Sequence, residues 1–294
     1  MIKRVTGFAL LLLVAMVLLG CATPDRTANS APAQNAASPA RMDFTKVKPL
    51  LHAHAHNDYL HEHPLFDALS NGFNSVEADI WLVDGQLLVA HDPFAIRKER
   101  SLTSLYLDPL AQIVKEGHGG VYGPGSRITL LIDIKSQADP TYRALELVLS
   151  GYKSMLSSFE GTTEHQGAVT VIISGNRDLA LMRAEPLRYA AYDGRMEDLT
   201  GNEPATLIPL ISDRWTAYFK WDGNGQMPPD QLSKLKDIVA KAHSHDRKLR
   251  FWDTPDRPGA ARSAFWGTLL EAGVDYLNTD DLAGLRAYLL AGKG

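Results

Sequence analysis

The 294 residues include a single cysteine, Cys21, so an intrachain disulfide is impossible and packing and hydrogen bonds must hold the fold. Positive charge is also in short supply. The 30 Lys and Arg stand against 34 Asp and Glu, a formal net charge of -4 that leaves no basic surplus for gripping nucleic acid. No apolar run has membrane-spanning length: Phe8 to Leu19 is twelve residues, where roughly 20 are needed to cross a bilayer. No Gly-x-Gly-x-x-Gly or Gly-x-x-x-x-Gly-Lys loop follows any strand-like segment, which argues against dinucleotide and P-loop chemistry. No internal repeat of fixed period is visible.

What the N-terminus does hold is Lys3 and Arg4, the apolar run, and then Leu18-Leu19-Gly20-Cys21. This order resembles a bacterial lipoprotein signal, cut before Cys21 and acylated on its thiol. Residues 22 to about 42 are mostly Ala, Pro, Ser, Asn and Gln, too polar to offset the entropy of ordering, and read as a tether. The expected organisation is a signal peptide over 1–20, an acylated cysteine and flexible linker over 21–43, and one folded domain over 44–294. The expected setting is a bacterial cell envelope. Lipidated Cys21 would hold the domain at a membrane, and Ala22 after it suits an outer membrane facing the periplasm.

Beyond the tether, eight strand-like runs alternate with helical patterns. The strands are expected at Pro49 to His56, Ser75 to Val83, Ile128 to Lys135, Ala168 to Ser174, Leu187 to Tyr192, Leu207 to Ser212, Lys248 to Asp253 and Asp275 to Thr279. Helices are expected at Pro64 to Ser70, Leu105 to Glu116, Thr141 to Phe159, Asn176 to Ala184, Pro229 to His245, Ala260 to Ala272 and Leu282 to Ala291, with the link between strands five and six the least helix-like. Strict alternation predicts a parallel sheet, and eight units over about 250 residues predict an α/β fold of the (β/α)8 TIM-barrel type. Strand faces agree. Leu130, Ile132 and Ile134 oppose Leu131, Asp133 and Lys135, an apolar outer face against an inner face that turns polar at the strand's C-terminal end.

The second strand carries the chemistry. In Ser75-Val76-Glu77-Ala78-Asp79-Ile80, alternate residues share a face, so Glu77 and Asp79 point together away from an apolar back. Two desolvated carboxylates repel, and they persist only with protons or a cation to compensate them. His56-Asn57, His91 and Asp133 fall at the ends of neighbouring strands, giving three carboxylates and an amide oxygen, a hard donor set for magnesium or calcium. Two histidines beside them can exchange protons near neutral pH.

His56-Asn57-Asp58-Tyr59, Val76-Glu77-Ala78-Asp79, Asp84-Gly85, His91-Asp92 and Ile132-Asp133-Ile134-Lys135, in that order, resemble the glycerophosphodiester phosphodiesterase and phosphatidylinositol-specific phospholipase C superfamily. Phe251-Trp252-Asp253-Thr254-Pro255-Asp256 and the run Gly273 to Asp281 bring the chain nearest to the branch typified by altered inheritance of mitochondria protein 6. The resemblance spans about residues 48 to 290. It implies a metal-dependent phosphoric diester hydrolase of glycerophosphodiesters or phospholipid head groups. It implies His56 as base and His91 as acid, with one divalent cation, magnesium or calcium, on Asn57, Glu77, Asp79 and Asp133. Lys135 is then placed against the phosphate and Trp252 against the organic portion, and attack by a neighbouring hydroxyl would give a cyclic phosphodiester. The chain departs from glycerophosphodiesterases in having Asn57-Asp58 where Arg-Gly usually follows the first histidine, and it lacks the Glu-Asn-Thr tripeptide.

Three alternatives stand beside this. His54 shares its strand face with His56, so either could be the base. His52-x-His54-x-His56 also has the spacing of zinc ligands on the first strand of amidohydrolase-like and phosphatase-like barrels. A catalytically inactive envelope-binding lipoprotein is the third function class.

Overall fold

The computed structural model describes residues 42–292, so the expected signal, Cys21 and nearly all of the tether lie outside the described residues. From Asp43 onward the chain packs as one unit. Eight parallel strands follow one another in chain order around a barrel: β1 (Leu50–Ala55), β2 (Phe73–Val83), β3 (Ile128–Ile134), β4 (Val169–Gly175), β5 (Ala190–Gly194), β6 (Leu210–Arg214), β7 (Lys248–Trp252) and β8 (Leu277–Thr279). β8 pairs with β1, and a parallel bridge between Arg250 and Tyr276 joins β7 to the start of β8. The fold is the (β/α)8 barrel that the alternation predicts.

Period-2 patterning decides which side chains line the barrel. Val76, Ala78 and Ile80 on β2 and Leu130, Ile132 and Ile134 on β3 are buried on the outer face under the helices. Inside, Leu131, Ile172, Ala191, Leu210 and Tyr276, with Phe159, form a separate apolar cluster that fills the barrel below the mouth. One step further along each strand the inner face becomes Asp133, Ser174, Asp193 and Ser212. The apolar filling is what lets the polar residues converge at one end, because a packed floor keeps them at the solvent-facing mouth.

The helices are α1 (Phe66–Ser70), α2 (Asp108–Glu116), α3 (Ala138–Ser150), α4 (Leu179–Ala184), α5 (Trp215–Tyr218), α6 (Pro229–His243), α7 (Ala260–Ala272) and α8 (Leu282–Leu290). Over β6 and β7, Trp215 stacks on Phe219 at 4.1 Å and meets Phe251 and Phe265 edge-on, a cluster whose contacts are each worth about 0.5–1.5 kcal/mol beyond area burial.

Three local expectations need correction. The helix expected over Thr141 to Phe159 stops at Ser150, where Gly151 caps it, and Ser158–Glu160 turns into a short strand. That strand pairs with Thr163–His165 and with Leu187–Arg188, so the fifth barrel strand begins only at Ala190. The link between β5 and β6, expected to be the least helix-like, holds a 3-10 turn, Met196–Asp198. An unexpected strand, Gln86–Val89, folds back antiparallel on β2 through the Asp84-Gly85 turn, where both residues have positive φ. This hairpin carries His91 back to the mouth.

Candidate active site

Asp79 and Asp133 are direct register partners on β2 and β3, and Glu77 lies one inward step below. Oxygens of the three carboxylates lie within 4.8 Å of one another, the only such acidic or histidine group of three among the described residues. Their compensation is unequal. Burial raises the Glu77 pKa, but Arg250 outweighs it, with help from His54, and holds the carboxyl well below its usual range. Arg250 reaches across from β7 and donates through Nη1 to Glu77 Oε2 at 2.9 Å and to Asn278 Oδ1 at 3.1 Å. Asp79 and Asp133 share a single ammonium, Lys135, in place of a guanidinium. Burial, then the Glu77 charge, pushes Asp79 up, and burial together with Asp79 and Glu77 pushes Asp133 up to about 6. The Lys135 ammonium opposes both shifts from 3.1 Å (Asp79 Oδ2) and 3.2 Å (Asp133 Oδ2).

The other oxygens, Asp79 Oδ1 and Asp133 Oδ1, are buried with no hydrogen-bond partner among the described residues. A buried, unpartnered carboxylate oxygen is costly, and two beside each other call for a cation. The residues present therefore fit a hard divalent ion. The backbone of Gly175 is part of this cradle: a Cβ there would stand 2.0 Å from Asp133 Oδ1.

Asn57 joins the group through Tyr59, whose hydroxyl stands 2.7 Å from both Asn57 Oδ1 and Asp79 Oδ2. Asn57 is in the left-handed region at φ 49°, which turns the chain at the end of β1. The following Asp58 pins this loop by accepting from Leu65 N at 2.6 Å and Tyr106 Oη at 2.8 Å.

Each flanking histidine is oriented by a carboxylate on Nδ1, the arrangement that fixes the tautomer and turns Nε2 outward. His56 Nδ1 lies 2.8 Å from Asp280 Oδ1, and His91 Nδ1 lies 2.9 Å from Asp79 Oδ2. Burial works against charge on His56, but the hydrogen bond to Asp280 and the field of Glu77 outweigh it and raise its pKa. Asp280 is itself held in place. Its backbone N–H donates to Asp256 Oδ2 at 2.8 Å, and Thr279 Oγ1 donates to Asp256 Oδ1 at 2.5 Å. A cleft of about 560 Å³, lined in part by Asn57, Tyr59, Leu60, His91 and Arg100, opens on the His91 side.

His54 has a different place. It is buried below the mouth, with Nδ1 at 2.7 Å from Ser75 Oγ and Nε2 at 2.5 Å from Arg250 Nη1. Burial and then Arg250 push its pKa down to about 4, so the ring is neutral, with the same Nε2 also 3.0 Å from Glu77 Oε2. His52 is exposed at the other end of β1, with Nδ1 at 2.9 Å from the Asp275 carbonyl oxygen. At roughly 3.3 Å per residue, His52 and His56 are about 13 Å apart along the strand. The His-x-His run does not converge on one ion.

Trp252 ends β7 at the mouth, with the Arg214 guanidinium 4.7 Å over its ring. Reading the sequence alone overlooks Arg250, Tyr59 and the pairing of Asp280 with His56. Arg250 does stand at an inward position two residues before Trp252, the one local signal available, but its partners lie across the barrel.

A model of the AIM6-like phosphodiesterase domain matches residues 42–193, and one of the glycerophosphoryl diester phosphodiesterase family matches residues 248–283. The chain is 30% identical over 288 residues to altered inheritance of mitochondria protein 6 of Eremothecium gossypii, covering 87% of this chain and 73% of that protein. The chain belongs to the AIM6-like phosphodiesterase family. A homolog from Arthroderma benhamiae is 29% identical over 277 residues, covering 84% and 86% of the two chains, and the Saccharomyces cerevisiae protein is 27% identical over 267 residues, covering 78% and 68%. These AIM6-like relatives are fungal proteins rather than bacterial envelope lipoproteins. That overturns the outer-membrane, periplasm-facing setting read from Leu18 to Cys21, since a four-residue motif carries far less information than similarity over most of the chain. Family membership makes phosphodiester hydrolysis the coarse reading of the site.

Proposed function

We propose that this chain is a phosphoric diester hydrolase dependent on one divalent cation, magnesium or calcium, and acting on a glycerophosphodiester or phospholipid head group. One observation carries the reading: Asp79 Oδ1 and Asp133 Oδ1 are buried without a hydrogen-bond partner among the described residues, at a mouth that also holds two histidines whose Nδ1 atoms meet carboxylates. Asn57, Glu77, Asp79 and Asp133 would hold the cation, which when bound neutralises charge developing on a phosphoryl oxygen.

The chain's own residues supply the rest. His56 takes the proton of an attacking hydroxyl at Nε2 as the new O–P bond forms, and Asp280 stabilises the imidazolium. His91 gives a proton to the leaving oxygen as the old P–O bond breaks, releasing it on the side of the cleft. Lys135 meets a nonbridging phosphate oxygen, and Trp252 lies against the organic portion. Where the attacking hydroxyl is the substrate's own neighbour, the product is a cyclic phosphodiester that water can open with the two histidines in exchanged roles.

The test is turnover of bis-p-nitrophenyl phosphate and a panel of glycerophosphodiesters after treatment with chelator and then with magnesium, calcium or zinc. Activity is expected to vanish with chelator, return with magnesium or calcium, and fall about 10²–10⁴-fold in His56→Ala and Asp79→Asn. Chelator-insensitive turnover, or undiminished turnover in both variants, refutes the reading.

A further inference from the structure

The mouth has two electrically different walls. Strands β1 to β3 and β8 bring the acidic group, while the ends of β4 and β5 bring Arg177 and Arg195, which none of the chemistry above uses. Their guanidinium groups bear on one oxygen, the Asp193 carbonyl, with Arg177 Nε at 2.7 Å and Arg195 Nη1 at 3.4 Å. Two half-buried guanidinium groups this close repel each other, and anions must compensate them.

Only one of them has its anion. Arg195 Nη1 pairs with Asp193 Oδ2 at 2.8 Å. That carboxylate also accepts from Ser174 Oγ at 2.7 Å and from the Ser212 hydroxyl. Arg177 makes no ion pair among the described residues. Its other hydrogen bond goes from Nη1 to the Gly175 carbonyl oxygen at 2.8 Å, and its guanidinium lies 4.5 Å over the Tyr192 ring. Arg195 is therefore held by a carboxylate, whereas Arg177 is held by two carbonyl oxygens and a ring, with no ion pair of its own among the described residues. Gly175 also fixes where this charge is, because the same residue packs against Asp133 Oδ1. Gly175 thus touches both groups, accepting from Arg177 through its carbonyl oxygen and packing against Asp133 through its Cα.

We propose that Arg177 and Arg195 form an oxyanion-binding subsite, which takes a second anionic group, a phosphomonoester, carried by the diester substrate. Two planar forks of donors match the oxygens of a phosphate, and their pre-positioning lowers the entropy cost of engaging it. Lys135 is assigned to the diester phosphate rather than to this group, because its ammonium lies at Asp79 and Asp133 in the acidic group. That the oxyanion belongs to the substrate rests on the phosphodiesterase reading; that the arginines bind an oxyanion does not.

The test separates the two. Inorganic phosphate is titrated calorimetrically into the wild type, Arg177→Gln, Arg177→Lys and Lys135→Met, all in chelator, where no turnover occurs. Expected is one-site binding weakened at least tenfold in Arg177→Gln, partly restored in Arg177→Lys and retained in Lys135→Met. Absent binding, equal affinity in wild type and Arg177→Gln, or loss in Lys135→Met alone overturns the subsite. In the second arm, kcat/KM is compared for glycerophosphodiesters with and without a terminal phosphomonoester. Wild type is expected to prefer the phosphorylated diester at least tenfold, and Arg177→Gln to lose that preference. An unchanged preference overturns the assignment to substrate. Arg177-dependent phosphate binding without turnover of either diester upholds the subsite and sinks the phosphodiesterase reading.

Discussion

Replacing Arg250 with methionine tests whether the acidic group depends on a charge brought from the far side of the barrel. The side chain is 4% exposed and its Nη1 serves Glu77, Asn278 and His54 together. Methionine fills much of the volume but leaves the Glu77 carboxylate, 6% exposed, with only a neutral imidazole beside Oε2. Removing one partner of a buried pair costs about 3–5 kcal/mol, because the remaining charge keeps its desolvation penalty without its compensation. For a domain of this size that lowers the melting temperature by on the order of 10 °C. Adding Glu77→Gln to Arg250→Met removes the stranded charge, so the double variant is expected to recover at least about 2 kcal/mol relative to Arg250→Met alone. The assay is urea unfolding of the wild type, both single variants and the double variant in chelator, so that no cation reaches Glu77. A loss below about 1 kcal/mol in Arg250→Met, or single-variant losses that simply add within about 0.5 kcal/mol, refutes the electrostatic account.

Two further outcomes follow from other parts of the fold. Gly175 has φ 69°, and a Cβ there would also stand 2.5 Å from the Ile134 carbonyl oxygen, so Gly175→Ala is expected to cost about 1–3 kcal/mol in urea melts and to weaken calcium or magnesium binding measured calorimetrically; unchanged stability and affinity would contradict the cradle. Glu146, on the inner side of α3, accepts from Tyr142 Oη at 3.1 Å and Tyr189 N at 3.3 Å, and burial followed by the charge of Glu185 raises its pKa from 4.5 to about 7. The folded state therefore holds this proton more tightly than the unfolded chain. Its contribution is fully present below about pH 4.5 and is lost as pH rises through 7, a change of about 3 kcal/mol. Glu146→Gln should remove that slope and gain on the wild type above pH 7, as read from unfolding midpoints between pH 4.5 and 8; parallel profiles would show that Glu146 does not titrate in this window.

What could be read from the sequence is what local periodicity controls. The inward pairing of Glu77 with Asp79, the apolar back of β2, the opposite faces of β3 and the order of eight strands all follow from side chains alternating along an extended chain. The same parity blurs other choices. His52, His54 and His56 share one face of β1, and only depth along the barrel axis separates an exposed ring at one end, a neutral buried ring in the middle and a ring held by Asp280 at the mouth. The end of α3 is hidden for a related reason: Tyr152 to Phe159 has the apolar content of a helix, yet Gly151 closes the turn and Phe159 is used to fill the barrel.

The sequence by itself thus determined the fold class and the carboxylates that need a cation, because both are encoded in spacings of two and in alternating segments. Tertiary structure alone decided how those carboxylates are compensated. Arg250 meets Glu77 from 173 residues away, Asp280 meets His56 from 224 away, and Arg177 meets Arg195 on a shared carbonyl oxygen. The first two partnerships come into being only when β8 pairs with β1 and the barrel closes, whereas the third needs only β4 and β5 side by side.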